Sequence, residues 1–177
     1  MQRVLVVGAS GSGKTTVADA LAARLGVPHV ELDALHHGPN WAEPDLDEFG
    51  ARVRAALEGE GWVCDGLYEA KLGTVTFERA DTVVWLDLPL RVLLRRLWRR
   101  TGTRIRDDIE LWSGNKESWR TALVGRESLF VWAVRRHRRL RRDLPRLLAE
   151  PKLAHLDVVR LRSEREVAAW LELAGAP

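Results

Sequence analysis

Short apolar runs alternate along the chain with longer segments in which apolar residues recur every three or four positions. The runs, each of which predicts a buried strand, lie at 4–7, 29–32, 62–64, 82–86 and 156–161. Between them, the helical spacing is clearest at Val17, Leu21 and Leu25. Because strands and helices alternate, we predict an α/β fold in which helices cover both faces of a five-stranded parallel sheet.

Residues that start and stop helices mark several boundaries of this pattern. Gly26 ends the first helix, and Asp45 with Glu48 forms a capping box at the start of the second. Ser163 and Glu166 repeat that pattern before the last helix. These signals place the helices between the predicted strands, as a parallel sheet requires.

The segment that follows the fourth strand is less regular. Pro89 suits the first turn of a helix that we predict to end near Arg100. Residues 101–118 are polar and contain glycine, which indicates a loop or a mobile lid. A long arginine-rich helix is predicted over 119–148, broken around Gly125 and Pro145.

Residues 8–15 match the phosphate-loop pattern G-x-x-x-x-G-K-[ST] at every fixed position, between a predicted strand and a predicted helix. Glycines let successive N–H groups converge on phosphate oxygens, and the helix N-terminus adds positive potential there. Lys14 reaches the β- and γ-phosphates in such a loop. We therefore predict that ATP binds at nine residues, namely Gly8, Ala9, Ser10, Gly11, Ser12, Gly13, Lys14, Thr15 and Thr16.

Carboxylates follow the predicted strands, at the sheet edge where ligands of open parallel sheets bind. We predict that Thr15 and Asp65 hold Mg²⁺, although Asp65 also suits a turn or a cap. Asp33 is predicted to receive the proton of an attacking hydroxyl, and Glu31 to share its strand face. Asp87 is the weakest candidate, since it also suits a helix cap.

The predicted acceptor site is the space between Asp33, the loop 36–41 and Asp65. Its residues are predicted to be Asp33, His36, Asp65 and Tyr68, because they offer carboxylates, an imidazole and a hydroxyl near the phosphate loop. His36 and His37 are adjacent, but no nearby cysteine or third histidine completes a metal set. His137 is predicted to be an exposed residue of the arginine-rich helix.

Positive charge is concentrated in the middle of the chain. Residues 91–146 carry 17 basic and 6 acidic side chains, while residues 1–90 carry 7 and 14. Such a field attracts polyphosphates, and the segment 135–142 could also bind nucleic acid. A solvated or acid-paired surface explains the same arginines equally simply.

The cellular setting is predicted from two features. The single cysteine, Cys64, excludes an internal disulfide and fits a reducing compartment. Apolar runs are too short to span a membrane, and the N-terminus lacks a signal-peptide pattern. We therefore predict a cytoplasmic protein made of one domain over residues 1–177.

These motifs together resemble the adenylate kinase-like P-loop kinases over nearly the whole chain. Asp65-Gly66 is similar to the Asp-Gly of the adenylate kinase motif D-G-F-P-R, and Glu31-x-Asp33 to the paired acids of shikimate-type kinases. The stretches that resemble the bacterial DNA topology modulation proteins, a subgroup related to adenylate kinase, are 32–36, 38–41, 65–68, 111–120 and 159–163. The resemblance implies sheet order 2-3-1-4-5 and a short lid.

One departure from adenylate kinases concerns the acceptor. Their Asp-Gly-Phe is followed by Pro-Arg, and that arginine holds the monophosphate, whereas Leu67-Tyr68-Glu69 stands here. AMP is therefore predicted to be a poor acceptor. The resemblance implies transfer of the ATP γ-phosphate to a nucleotide or a small hydroxylated acceptor, with Mg²⁺.

Lys14, Asp33, Arg99, Arg104 and Arg120 are the predicted catalytic residues, the arginines because they can stabilise the transferring phosphoryl group. Two alternatives remain open from sequence. One is a nucleic-acid-binding regulator switched by ATP, and the other is a slow ATPase without an acceptor.

Overall fold

All five strands of the sheet are parallel and lie in the order β2-β3-β1-β4-β5 in the computed structural model. The structure describes residues 1–116, 118–123 and 128–174, without the side chains of Arg120 and Thr121. The strands are β1 (Arg3–Gly8), β2 (His29–Glu31), β3 (Trp62–Asp65), β4 (Thr82–Leu86) and β5 (Asp157–Leu161). The predicted strand order 2-3-1-4-5 is confirmed.

Nine helices are described. They are α1 (Lys14–Leu25), α2 (Leu32–His36), α3 (Leu46–Ala56), α4 (Glu69–Leu72), α5 (Val75–Arg79), α6 (Leu90–Arg106), α7 (Trp119–Leu123), α8 (Leu129–Leu148) and α9 (Glu164–Leu173). Single turns of 3-10 helix lie at Pro39–Trp41, Trp112–Gly114 and Pro151–Leu153.

The central strand β1 divides the core into two layers. Leu5 and Val7 face α3, α5 and α8, while Val4 and Val6 face α1 and α9. All four side chains are fully buried, which contributes roughly 1.5–3 kcal/mol for each. Helices therefore cover both faces of the sheet, and the carboxyl ends of the strands stay open at one edge.

The helix boundaries read from capping residues are confirmed. The Asp45 carboxylate accepts a hydrogen bond from the Glu48 N–H at 2.7 Å, and the Ser163 hydroxyl accepts one from the Glu166 N–H at 3.1 Å. Gly26 ends α1 in a left-handed conformation with φ of 66°. These local contacts explain why the boundaries could be read from sequence.

Two predicted boundaries are wrong. The second strand ends at Glu31, and the chain turns at once into α2, which therefore contains Asp33. Helix α6 continues past Arg100 to Arg106, because Thr101 is fully buried and extends the packed face of that helix. The first six residues of the predicted lid are consequently helical.

The prediction of a helix break at Pro145 is also wrong. Helix α8 continues through Pro145 to Leu148. Pro145 lacks the N–H that would bond to the carbonyl of Arg141, so the helix continues with one backbone hydrogen bond fewer. The predicted break at Gly125 lies outside the described residues.

The rest of the predicted lid is tied to the loop after α2. The Asn115 side chain is buried, accepts a hydrogen bond from the Trp41 N–H and donates one to the Gly38 carbonyl, both at 2.9 Å. The Trp112 indole donates to the Glu31 carboxylate at 2.9 Å. We call residues 107–116 the strap, because they are held against the loop after α2 mainly by these polar contacts.

Amide hydrogens of the strap are expected to exchange faster with solvent than those of Val4–Val7. The strap offers few apolar anchors, so it opens at a lower free energy than the central strand. Hydrogen exchange measured by mass spectrometry tests this, with Thr101–Arg106 of α6 as the internal comparison. Strap amides as protected as those of β1 would contradict the expectation.

Candidate functional site

The phosphate loop joins β1 to α1 and adopts a backbone that side chains would obstruct. Gly11 and Gly13 have φ of 84° and 87°, in the left-handed region. A Cβ on Gly11 would lie 2.5 Å from the Leu93 carbonyl oxygen, and one on Gly8 would lie 2.5 Å from the Ser12 hydroxyl. The glycines therefore allow the loop to curl tightly at the N-terminus of α1, where backbone N–H groups can gather around an anion.

The Thr15 hydroxyl and the Asp65 carboxylate meet beside this loop. Thr15 Oγ1 donates a hydrogen bond to Asp65 Oδ2 at 2.6 Å. Asp65 ends β3 next to Val6 of β1, so the sheet register places it against the loop. Its second oxygen, Oδ1, is buried and has no hydrogen-bond partner among the described residues. A buried, unsatisfied carboxylate oxygen next to a threonine hydroxyl fits the oxygen ligands that Mg²⁺ prefers.

His29 is a member of this cluster that the sequence did not indicate. Its Nε2 lies 3.6 Å from Asp65 Oδ1. The Asp65 carboxylate raises the pKa of His29, against the opposite effect of burial. His29 stands at the start of an edge strand, where no motif marks it as a site residue. Only the pairing of β2 with β3 brings it to Asp65.

On the other side of the loop, Asp33 and Tyr68 form a hydrogen-bonded pair. The Tyr68 hydroxyl donates to Asp33 Oδ1 at 2.6 Å, and burial followed by the charge of Asp33 raises the pKa of Tyr68. The Tyr68 ring also packs on His36, with ring centroids 4.7 Å apart. The structure thus brings together three of the four predicted acceptor residues, and it places the fourth, Asp65, against Thr15 instead.

His36 belongs to a polar chain that continues away from the loop. Lys71 Nζ lies 2.6 Å from His36 Nε2 and 2.6 Å from the Glu43 carboxylate. Burial, and then the nearby charge of Lys71, lowers the pKa of His36, so its ring stays neutral near pH 7. Lys71 and Glu43 are therefore additional members of this polar cluster, and Glu43 is the one that sequence reasoning did not single out.

A cavity of about 980 Å³ connects these groups. The phosphate loop lines it, together with Asp33, His36 and Tyr68. A smaller cavity of about 360 Å³ continues from Lys14 and Asp33 toward α8. Lys14 and Asp33 line both cavities, so the phosphate loop and the candidate base face a shared space.

The predicted arginines have different positions. Arg104 lines the large cavity, together with Arg96 and Arg100, whereas Arg99 is exposed and is not among the lining residues. A catalytic role for Arg99 therefore stays a prediction. Residues four apart on a helix share a face, which suits the three arginines at positions 96, 100 and 104 to line one cavity. The side chain of Arg120 lies outside the described residues.

Arg96 contacts the phosphate loop directly. Its Nη1 donates to the Ser12 carbonyl at 2.9 Å, and its Nη2 lies 2.6 Å from the Glu164 carboxylate at the start of α9. Arg96 could have been identified from sequence, because it precedes Arg100 and Arg104 at intervals of four residues.

The remaining carboxylates differ from their predicted roles. Glu31 does not share a strand face with Asp33, because Asp33 lies in α2, although both line the large cavity. Burial raises the pKa of Glu31, and its carboxylate accepts the Trp112 indole N–H. Asp87 does not cap α6. Its carboxylate is buried, and Oδ2 lies 2.6 Å from Arg160 Nη2, so this ion pair joins the end of β4 to β5.

The arginine-rich segment 135–142 is largely paired with acids of the protein. Arg136 pairs with Glu69, Arg141 with Asp87 and Arg142 with Asp143, at 2.7 to 2.9 Å. His137 is only 6% exposed, so the prediction of an exposed histidine is wrong. Nucleic-acid binding through this segment stays a prediction.

The fold and the phosphate loop define a P-loop protein. A family model described as "AAA domain" matches residues 4–118. The chain belongs to this family.

Curated relatives include the cytidylate kinase of Pyrococcus furiosus, 30% identical over 120 residues that make up 59% of this chain and 60% of that protein. The shikimate kinase of Ruegeria pomeroyi is 32% identical over 115 residues, 57% of this chain and 58% of its own length. The chain thus spans about 60% of the length of the curated relatives it matches.

Solved structures support the same fold. The shikimate kinase from Acinetobacter baumannii in complex with shikimate superposes with a TM-score of 0.60 at 16% identity, over 98% of this chain and 90% of that one. The deoxyadenosine kinase from M. mycoides with bound dATP gives a TM-score of 0.50 at 12% identity, over 98% and 99%. Among the described helices, none has both the length and the apolar character that a membrane crossing needs.

Proposed function

We propose that this protein is a phosphotransferase that moves the γ-phosphate of ATP to a hydroxyl group of a nucleotide or a small hydroxylated metabolite. The observation that carries the proposal is that Lys14 and Asp33 line the same two cavities. A phosphate-binding lysine and a candidate base across one space are what transfer to a hydroxyl requires.

In this mechanism the ATP phosphates lie along residues 8–16. Lys14 would contact the β- and γ-phosphates, and the Thr15 hydroxyl and Asp65 would hold a Mg²⁺ ion, which supplies positive charge to neutralise the phosphates when bound. Arg104 faces the same space from α6 and stabilises charge on the transferring group. We assign Arg120 the same role from the sequence alone.

Asp33 orients the acceptor and takes its proton. Asp33 Oδ1 already accepts the hydrogen bond of the Tyr68 hydroxyl. We therefore assign Oδ2 as the oxygen that contacts the acceptor hydroxyl. The hydroxyl oxygen bonds to the γ-phosphorus, the bond from that phosphorus to the bridging β–γ oxygen breaks, and ADP leaves with that oxygen. The proton passes to Asp33, which then releases it to solvent.

Asp33→Asn is expected to lower kcat by about 10²–10⁴-fold with ATP affinity unchanged, because the amide cannot accept the proton. An acceptor screen that monitors ADP formation, followed by the variant on each accepted compound, measures this. Asp47→Asn removes an exposed carboxylate on α3 and serves as the matched control. AMP should be a poor acceptor in the same screen.

One outcome of the screen would contradict the proposal, and another would contradict only the expectation about AMP. ADP formation at one rate with every acceptor and with none would favour a slow ATPase. Rapid ADP formation from ATP and AMP would contradict the expectation about AMP.

We further place the chain in the DNA topology modulation subgroup of these kinases on the basis of its motifs. Two of those motif segments, 38–41 and 111–120, contact each other through Asn115, which bonds to Trp41 and Gly38. Their contact gives the motif set a shared structural purpose, because together they close one side of the proposed acceptor site.

A further inference from the structure

The smaller cavity is the part of the site that lies beyond Asp33, next to α8. Besides Lys14 and Asp33, it is lined by Tyr68, Glu69, Arg136 and Arg139. A molecule whose hydroxyl reaches Asp33 would extend its far side into this space. The charges along this wall therefore decide which acceptors fit.

Arg136 and Glu69 form a two-pronged ion pair in this wall. Arg136 Nη1 and Nη2 each donate to a different oxygen of Glu69 at 2.8 Å, and Nη2 also donates to the Leu67 carbonyl at 2.7 Å. The side chains are 16% and 25% exposed. Burial alone would raise the pKa of Glu69, but the hydrogen bonds and charge of Arg136 outweigh it and lower that pKa. Glu69 thus stays ionised and fills the guanidinium fork, the geometry by which arginines bind phosphates and carboxylates.

The other cations of this wall also have partners. Lys71 pairs with Glu43 at 2.6 Å, and Arg139 lies 3.5 Å from Asp143 and 3.9 Å from Glu69. Arg135 is likewise engaged within the protein. Arg139 is held less closely than Arg136, because neither of its two distances is that of a hydrogen bond, and Lys14 is required by the phosphates of ATP.

We propose that the Glu69–Arg136 pair is a specificity filter that admits acceptors uncharged on the side facing α8, such as nucleosides or polyols, and rejects phosphorylated or carboxylated ones. This inference rests on the proposed function and narrows its acceptor class. An anionic acceptor would have to displace Glu69 from Arg136, leaving a half-buried carboxylate without its partner, and it would meet that carboxylate's negative charge.

The filter is tested with Glu69→Gln and pairs of acceptors that differ by one anionic group. Cytidine with CMP, adenosine with AMP, and glucitol with gluconate are suitable pairs. The wild type should prefer the neutral member of each accepted pair. Glu69→Gln should raise the kcat/KM ratio of anionic to neutral member by about 10–100-fold, the value of a charged hydrogen bond. Glu58→Gln, which removes an exposed carboxylate, should leave the ratio unchanged.

A binding measurement tests the filter without catalysis. With the phosphate loop saturated by a non-hydrolysable ATP analogue and Mg²⁺, inorganic phosphate is titrated while the arginine Nε–H signals are followed by NMR. Phosphate should bind Glu69→Gln at least about tenfold more tightly than the wild type, and Glu69→Gln/Arg136→Gln should lose that gain.

The two measurements separate the inference from the proposed function. Equal phosphate binding by wild type and Glu69→Gln, or a wild type that prefers anionic acceptors, would overturn the filter. A gain in phosphate binding that depends on Arg136, with no acceptor phosphorylated, would uphold the filter and overturn the proposed phosphotransfer.

Discussion

Replacing Lys14 by alanine is expected to weaken ATP binding and reduce turnover to background. Lys14 begins α1 directly after the curled loop and lines both cavities, and we propose that its ammonium group meets the β- and γ-phosphates. Removing one preorganised donor from a transition state typically costs roughly 10²–10³ in turnover, and here a full charge is lost as well. Calorimetric titration with an ATP analogue and an assay of ADP formation measure the two effects.

Lys152→Ala provides the matched control for that experiment. Lys152 lies in the 3-10 turn before β5, is 51% exposed and pairs with surface acids, so its loss should leave binding and turnover intact. If Lys14→Ala bound and turned over ATP like the wild type, the assignment of the phosphate loop would be wrong.

The Asp65→Asn variant should lose turnover and require more Mg²⁺ while keeping its fold. Asparagine preserves the shape and can still accept the Thr15 hydroxyl, but it removes the negative charge that attracts the cation. We expect turnover to fall by about 10–100-fold, as when a charged partner of a bound ion is lost. The rate as a function of Mg²⁺ concentration, together with the melting temperature, separates metal binding from stability.

A change in melting temperature alone would show that Asp65 is structural. In that case the Mg²⁺ dependence of the variant would match that of the wild type, and Asp65 would not belong to the metal site. Asp47→Asn again provides an exposed carboxylate as the control.

The features that sequence predicted well depend on neighbours along the chain. The phosphate loop could be recognised because its glycines, Lys14 and the start of α1 lie within a few residues of each other. Capping at Asp45 and Ser163 could be recognised for the same reason, since each cap bonds to a residue three positions later. The alternation of strands and helices along the chain predicted that helices cover both faces of the sheet.

The errors occurred where distant segments decide the outcome. Helix α6 was predicted too short because its polar continuation is buried by packing, as Thr101 shows. Asp33 was predicted to share a strand face with Glu31. The chain instead turns into α2 after Glu31, and Leu32 and His36 are buried in the core. Arg104 was predicted together with Arg99, and only the structure shows that Arg96, Arg100 and Arg104 line the cavity.

The sequence by itself determined the phosphate loop, the strand order implied by the resemblance, and the identities of Asp33, Asp65 and Tyr68 as site candidates. Only the tertiary structure decided how those residues are paired. Thr15 with Asp65, Tyr68 with Asp33, and Arg136 with Glu69 are separated by 50, 35 and 67 positions. No local pattern encodes such contacts, because they depend on how the strands align and on how α8 packs across the sheet.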